Sequence, residues 1–168
     1  FVGRGTDVHV ILDLMIHDLD IILSLVRSPL TDIRAVGVPV LTSNIDIANT
    51  RLEFADGCVA NVTASRVSKD AIRKLRVFQP DAYFSLDYQK QELIMARRVD
   101  GAAEAGLPAI DVQTLPIEKE EPLKAQLSAF LDSVATRRAP LVSGREGRNA
   151  LRVALDVLRC IEGGGCPS

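Results

Sequence analysis

The stretch from Val8 to Arg27 limits the fold more than any other part of the chain. It is apolar almost all round, from Val10 and Ile11 through Met15, Leu19 and Ile22 to Val26, and few polar residues interrupt it. Thr6 or Asp7 can cap its start and Ser28-Pro29 stops it, which predicts a helix buried on most sides. The β-branched residues Val8, Val10 and Ile11 leave its first turn open. Asp13, His17, Asp18 and Asp20 break the apolar run, so it does not read as a membrane span.

Short extended segments follow. Ile33–Leu41 is rich in Val and Ile, and Ala48, Thr50, Leu52 and Phe54 alternate with Asn49, Arg51 and Glu53, the period of a half-buried strand. Asp56-Gly57 predicts a two-residue hairpin turn with positive φ at both positions, and Cys58–Ser65 is the returning strand. Arg73–Phe78 and Tyr83–Tyr88 flank Gln79-Pro80-Asp81-Ala82, a type I turn with Pro at its second place. Glu92–Val99 and Val112–Ile117 read as two more strands, with a mobile loop over Asp100–Pro108 between them.

Two amphipathic helices close the chain. Pro122 suits a first turn, Glu120 and Glu121 favour its positive end, and Leu123, Leu127, Phe130, Leu131 and Val134 form an apolar stripe. Ser143 and Glu146 make a capping-box pattern for the last helix, which Gly163-Gly164-Gly165 ends. Helix, many strands, then two helices predicts an α+β fold: a largely antiparallel, open-faced sheet with helices packed on one face. Its other face must meet water or a partner.

With 168 residues, 47% of them hydrophobic, the chain predicts one domain over 1–168 with its own core. A net charge of −2 excludes a general nucleic-acid or anionic-membrane binder. Cys58, Cys160 and Cys166 are scattered with no C-x-x-C pair and read as unpaired thiols, which fits a reducing cytoplasm. Phe1 in place of Met, with no leader pattern after it, suggests a piece of something longer.

Chemistry is concentrated on the first helix. At about 100° per residue, Asp13, His17, Asp20 and Ser24 fall within roughly 60° of one another, a polar stripe on a helix otherwise suited to burial. Such groups cost free energy without partners, so they pair internally or face a ligand cavity. In the second case His17 is a proton carrier, because an unperturbed imidazole titrates near ~6.5, and Asp13 orients the ring or holds a substrate hydroxyl. In the first, Asp13 and His17 are an ordinary i, i+4 pair, or His17 is a core histidine satisfied by a backbone carbonyl. A metal site on His9, Asp13 and His17 is disfavoured. Two histidines eight residues apart on a helix are about 12 Å apart, too far to share an ion bound at about 2.1 Å. His9 reads as a helix-start or loop residue. Arg66, Lys69, Arg73, Lys74 and Arg76 form a basic cluster, read either as a phosphate contact or as a solvated face. No G-x-G-x-x-G follows a strand, and no P-loop, G-x-S-x-G or H-E-x-x-H is present.

Asp13-Leu14-Met15-Ile16-His17-Asp18 resembles the D-x-x-x-H motif of the glucose-fructose oxidoreductase / inositol dehydrogenase (Gfo/Idh/MocA) family. Arg51–Ala60 resembles that family's sheet hairpin, and Leu123–Ala154, with Phe130, Pro140-Leu141-Val142 and Gly147, resembles its closing helices. The resemblance implies a C-terminal substrate and dimerisation domain whose N-terminal Rossmann domain, with the glycine-rich loop and catalytic lysine, has no counterpart in this chain. It implies NAD or NADP as cofactor and His17 as acid or base, with Asp13 beside it. The implied substrate is a sugar or nucleotide-sugar, towards which Arg66 is a candidate contact. A homodimer through the open sheet face is implied too, and an isolated chain without activity. The helix motif is more like members acting on nucleotide-linked amino sugars than on free inositol. The alternative is a non-catalytic sugar-binding or dimerisation module on the same scaffold.

Overall fold

The computed structural model describes residues 5, 7–69, 72–102, 108–163 and 166, without the side chains of 100–102 and 108. They fall into two compact units, Phe1–Lys69 with Arg138–Ser168, and Asp70–Arg137.

The first unit is built on the alternation read at Ala48–Phe54. Strand β2 (Ile47–Phe54) lies between β1 (Leu30–Val38) and β3 (Val59–Ser65), antiparallel to both. Because side chains alternate across a strand, Ala48, Thr50, Leu52 and Phe54 all reach the same side and are buried. Ile33 of β1 and Val62 and Ala64 of β3 lie opposite them in register and complete that face. Helix α1 (Ile16–Leu25), the turn before it and α3 (Gly144–Ile161) cover it, with Ile11, Met15, Leu19 and Ile22 meeting Val153, Ala154 and Val157 in one apolar cluster. The other face is open: Val36 is 69% exposed and Val38 51%. Helices thus pack on one face of an antiparallel sheet, as the pattern predicts.

Gly37 shows how closely the layers approach. A Cβ there would come within 2.7 Å of Ile45 Cγ2 and 3.0 Å of Ile161 Cδ1, so only glycine lets the loop after β1 and the end of α3 lie against that strand. The hairpin itself departs from expectation. Phe54 N–H donates to the Cys58 carbonyl and Gly57 N–H to the Phe54 carbonyl, so the loop is Ala55-Asp56-Gly57. Of these, only Gly57 has positive φ, at 86°. This three-residue loop needs one left-handed position where the shorter turn needs two.

The second unit is a four-stranded antiparallel meander, β4 (Lys74–Phe78), β5 (Ala82–Asp87), β6 (Glu92–Ala102) and β7 (Pro108–Leu115), followed by α2 (Pro122–Thr136). The single predicted sheet is therefore two. Gln79–Ala82 closes the first hairpin through Gln79 N–H to the Ala82 carbonyl. The loop read over Asp100–Pro108 is shorter, since β6 and β7 extend into it; residues 103–107 lie outside the described set. Glu121 caps α2 by accepting from Leu123 N and Lys124 N, with Pro122 at the first turn. The apolar stripe of α2 is exposed, Phe130 by 61% and Leu131 by 63%, and no described side chain of this unit is fully buried.

The last helix starts as its sequence predicts. Ser143 Oγ accepts from Arg145 N, while the Glu146 carboxylate accepts from the amide and hydroxyl of Ser143. Those Ser143 bonds hold the Glu146 carboxyl below its ordinary range. At the other end Cys160 and Cys166, read as unpaired, form a disulfide with Cα atoms 4.7 Å apart, and Cys58 stays free. Gly163 has a positive φ of 79°, and pairings of this kind are not readable from spacing. No helix among the described residues is long and apolar enough to cross a membrane.

Core and open faces differ in what they tolerate. Leu19 is fully buried, so Leu19→Ala is expected to cost about 2–5 kcal/mol in urea unfolding. Val36→Ala on the exposed face is expected to change stability by less than about 0.5 kcal/mol.

Candidate active site

The opening of the first helix is shaped by two bonds to the loop after β1. Val10 N–H donates to the Ile45 carbonyl at 2.8 Å, and Ile45 N–H donates to His9 Nδ1 at 3.0 Å. A backbone amide can only donate, so Nδ1 is unprotonated and His9 carries its proton on Nε2. The His9 carbonyl accepts from the amides of Leu12 and Asp13. No described side chain caps this start: Val10 occupies the cap position, Asp7 does not serve, and Thr6 lies outside the described residues. His9 is thus the helix-start residue its position suggests.

Residues Ile11–Met15 then form a π-helical turn, in which the Ile16 amide reaches back five residues to the Ile11 carbonyl. The extra residue per turn means that a straight α-helical projection from Asp13 to His17 does not hold; it holds from Ile16 onward. Asp13 sits in the π turn and His17 in the first turn of α1. His17 is exposed, and Asp20 and Ser24 share its side, opposite the buried Met15, Leu19 and Ile22. Within α1 only His17, Ser24 and Leu25 are exposed, Leu25 by 59%, and the other residues are buried or half-buried. Asp13 and His17 make no hydrogen bond to each other among the described residues, which removes the simple ion-pair reading.

What holds Asp13 is Arg66. Its guanidinium Nη2 lies 3.3 Å from Asp13 Oδ2, its Nη1 donates to the Val8 carbonyl at 2.8 Å, and the same nitrogen lies 3.6 Å from Asp46 Oδ1. The Arg66 side chain is only 6% exposed, and its Nε finds no partner among the described residues. In the sequence Arg66 belongs to a basic cluster read either as a phosphate contact or as a solvated face; the structure turns it inward. The remainder of that cluster is split between the two units, where Lys69, Arg73 and Arg76 are exposed and Lys74 pairs with Asp87 at 3.3 Å.

Asp46 is the residue that sequence reasoning misses. It is fully buried, and its Oδ2 accepts from three successive amides, Val40, Leu41 and Thr42, at 2.7 to 2.9 Å. Thr42 Oγ1 donates to Oδ1 at 3.0 Å. Burial pushes this carboxyl upward, but the amides of Val40, Thr42 and Leu41 and the Thr42 hydroxyl outweigh it and hold it far below the usual range. Such a nest of consecutive amides favours a negative charge. Thr42-Ser43-Asn44 is a turn signal in the sequence, yet nothing local points twenty residues ahead to Arg66.

Since the folded-state pKa of Asp46 is depressed, its contribution is present above the unfolded carboxylate value of about 4 and fades as pH falls below it. The stability of the chain is expected to drop between about pH 4 and 2 with a slope that is shallower in Asp46→Asn. Unfolding midpoints across that range measure it, and equal slopes would contradict the assignment.

Residues 4–82 match the model of the GFO/IDH/MocA C-terminal domain. The chain is 36% identical, over 162 residues, to UDP-N-acetylglucosamine 3-dehydrogenase of Acidithiobacillus ferrooxidans, covering 96% of this chain and 51% of that protein. A solved structure of that enzyme superposes with a TM-score of 0.87, over 97% of this chain and 52% of its own. An aldose-aldose oxidoreductase from Caulobacter crescentus, 24% identical, shares the fold at a TM-score of 0.68 over 89% of this chain and 44% of its own. The chain spans about half the length of these relatives. The D-x-x-x-H segment, the hairpin and strands β1–β3 lie within the residues that match the GFO/IDH/MocA C-terminal domain, and α3 lies within the longer stretch shared with the Acidithiobacillus ferrooxidans enzyme.

Proposed function

We propose that this chain is the substrate-binding and dimerisation part of an NAD- or NADP-dependent oxidoreductase acting on the hydroxyl of a sugar or nucleotide-sugar. The relative that is 36% identical is a UDP-N-acetylglucosamine 3-dehydrogenase, which makes a nucleotide-linked amino sugar the substrate class of choice. One observation carries the reading. Asp13 is held from behind by a buried arginine while its side chain stays 34% exposed, and His17 stands exposed in the next turn of the same helix. A part-exposed carboxylate held through one oxygen suits a substrate hydroxyl, and an exposed imidazole in the next turn suits the proton that hydroxyl exchanges.

The residues of this chain do not form a cradle for a dinucleotide, since no glycine-rich turn follows a strand. The cofactor is assigned instead to an N-terminal Rossmann domain, and the chain alone is expected to be inactive. Within this chain, Asp13 would orient the reacting hydroxyl, His17 would take or return its proton, and the greasy flank of α1 would exclude water. The open face of the β1–β3 sheet, with Val36 and Val38 exposed, suits contact with a second copy. A cytoplasmic setting fits soluble nucleotide substrates, although with Cys160 and Cys166 paired, cysteine usage no longer argues for it.

A second reading has an observation in its favour. The His17 imidazole makes no hydrogen bond among the described residues, as expected of a bystander in a non-catalytic sugar-binding module. The two are separated by His17→Asn in the full-length protein. The proposal expects turnover of UDP-N-acetylglucosamine with NAD or NADP to fall by about 10²–10⁴-fold with the unfolding midpoint unchanged. Wild-type rates in that variant would end the catalytic role.

A further inference from the structure

Arg66 is an uncommon residue to find sealed in. A guanidinium buried with one N–H unmatched among the described residues is a poor source of stability, because desolvation offsets most of what its ion pairs return. Its geometry is more informative than its energy. One nitrogen holds the Val8 carbonyl and approaches Asp46, while the other holds Asp13 Oδ2. Asp46 cannot yield, being fixed by three amides and a hydroxyl. Gly5 stands on the same side: a Cβ there would lie 2.5 Å from Asp13 Oδ2 and 3.3 Å from Oδ1, so that flank of the carboxylate is closed.

We propose that Arg66 is a positioning residue for Asp13, backed by Asp46, so that the three form a relay from the rigid loop after β1 to the π turn. This rests on the reading of Asp13 as the group that meets the substrate hydroxyl. The relay fixes Oδ2 inward and leaves Oδ1 for the ligand. It is needed because the π turn departs from the regular helical frame, and a carboxylate there takes its aim from side-chain contacts. With its side chain 94% covered, Arg66 does not reach a substrate phosphate itself.

The test is a double-mutant cycle on the full-length protein with UDP-N-acetylglucosamine, using Asp13→Asn, Arg66→Met and the pair. Arg66→Met is expected to lower kcat/KM by about 10–100-fold, with kcat falling. In the Asp13→Asn background the same change is expected to cost less than about twofold, because there is no longer a carboxylate to aim. Losses that multiply would overturn the proposal, as would a rise in KM alone, the mark of a direct ligand contact. If Arg66→Met does not fold, Arg66→Lys takes its place: it keeps the charge but cannot hold Val8 and Asp13 together. An unchanged rate in Asp13→Asn would instead sink the reading of the site, and this proposal with it. Independently of turnover, nitrogen NMR of the 168-residue chain should show Arg66 Nη signals separated by hindered rotation. They should merge in Asp13→Asn. A single averaged signal in the unaltered chain would also overturn the relay.

Discussion

One buried guanidinium ties together three parts of the chain that are far apart in sequence. Arg66 leaves the end of β3, bonds the Val8 carbonyl ahead of the first helix, and sits between Asp13 and Asp46. The core below explains why the helix lies on the sheet, since Ile11, Met15, Leu19 and Ile22 have nowhere else to go. It does not explain how the helix begins. Hydrophobic burial is non-directional, and a helix without a side-chain cap is free to start in several registers. Polar bonds from His9, Ile45 and Arg66 select one of them, and with it the place of Asp13.

The fold was legible because its signals are local and periodic. Alternation from Ala48 to Phe54 gives the central strand, Ser143 with Glu146 gives the start of α3, and Pro122 gives that of α2. Misreadings arose where a local pattern admits two solutions. Asp56-Gly57 serves a two- or a three-residue loop, and the φ of Asp56 decided it. The π turn has no composition of its own, so the angular projection of Asp13 onto His17 assumed a regular helix that is not there. Arg66 looked like one more basic residue in a run, and Asp46 like a turn residue. Only the tertiary fold reveals that they are partners, because nothing in the spacing of 20 residues encodes it.

The two units carry different burdens. The β1–β3 unit with α1 and α3 has a dry core and holds every candidate site residue: Asp13, His17 and Arg66. The β4–β7 unit has no fully buried described side chain, and α2 keeps Leu123, Phe130 and Leu131 in solvent. Apolar surface of that extent is what the proposed contact with a further domain or second copy would cover. This agrees with a chain that spans about half of the relatives it matches. The exposed side of α1 carries His17 and Ser24, the stripe that the proposed function takes as ligand-facing.

The most direct measurement of the central claim is a crystal structure of the full-length protein with a nucleotide-sugar bound. The account predicts Asp13 Oδ1 and an imidazole nitrogen of His17 within about 2.6–3.2 Å of one sugar hydroxyl, with Arg66 still on Asp13 Oδ2. A sugar bound elsewhere, with His17 facing open solvent and Arg66 released from Asp13, would contradict it.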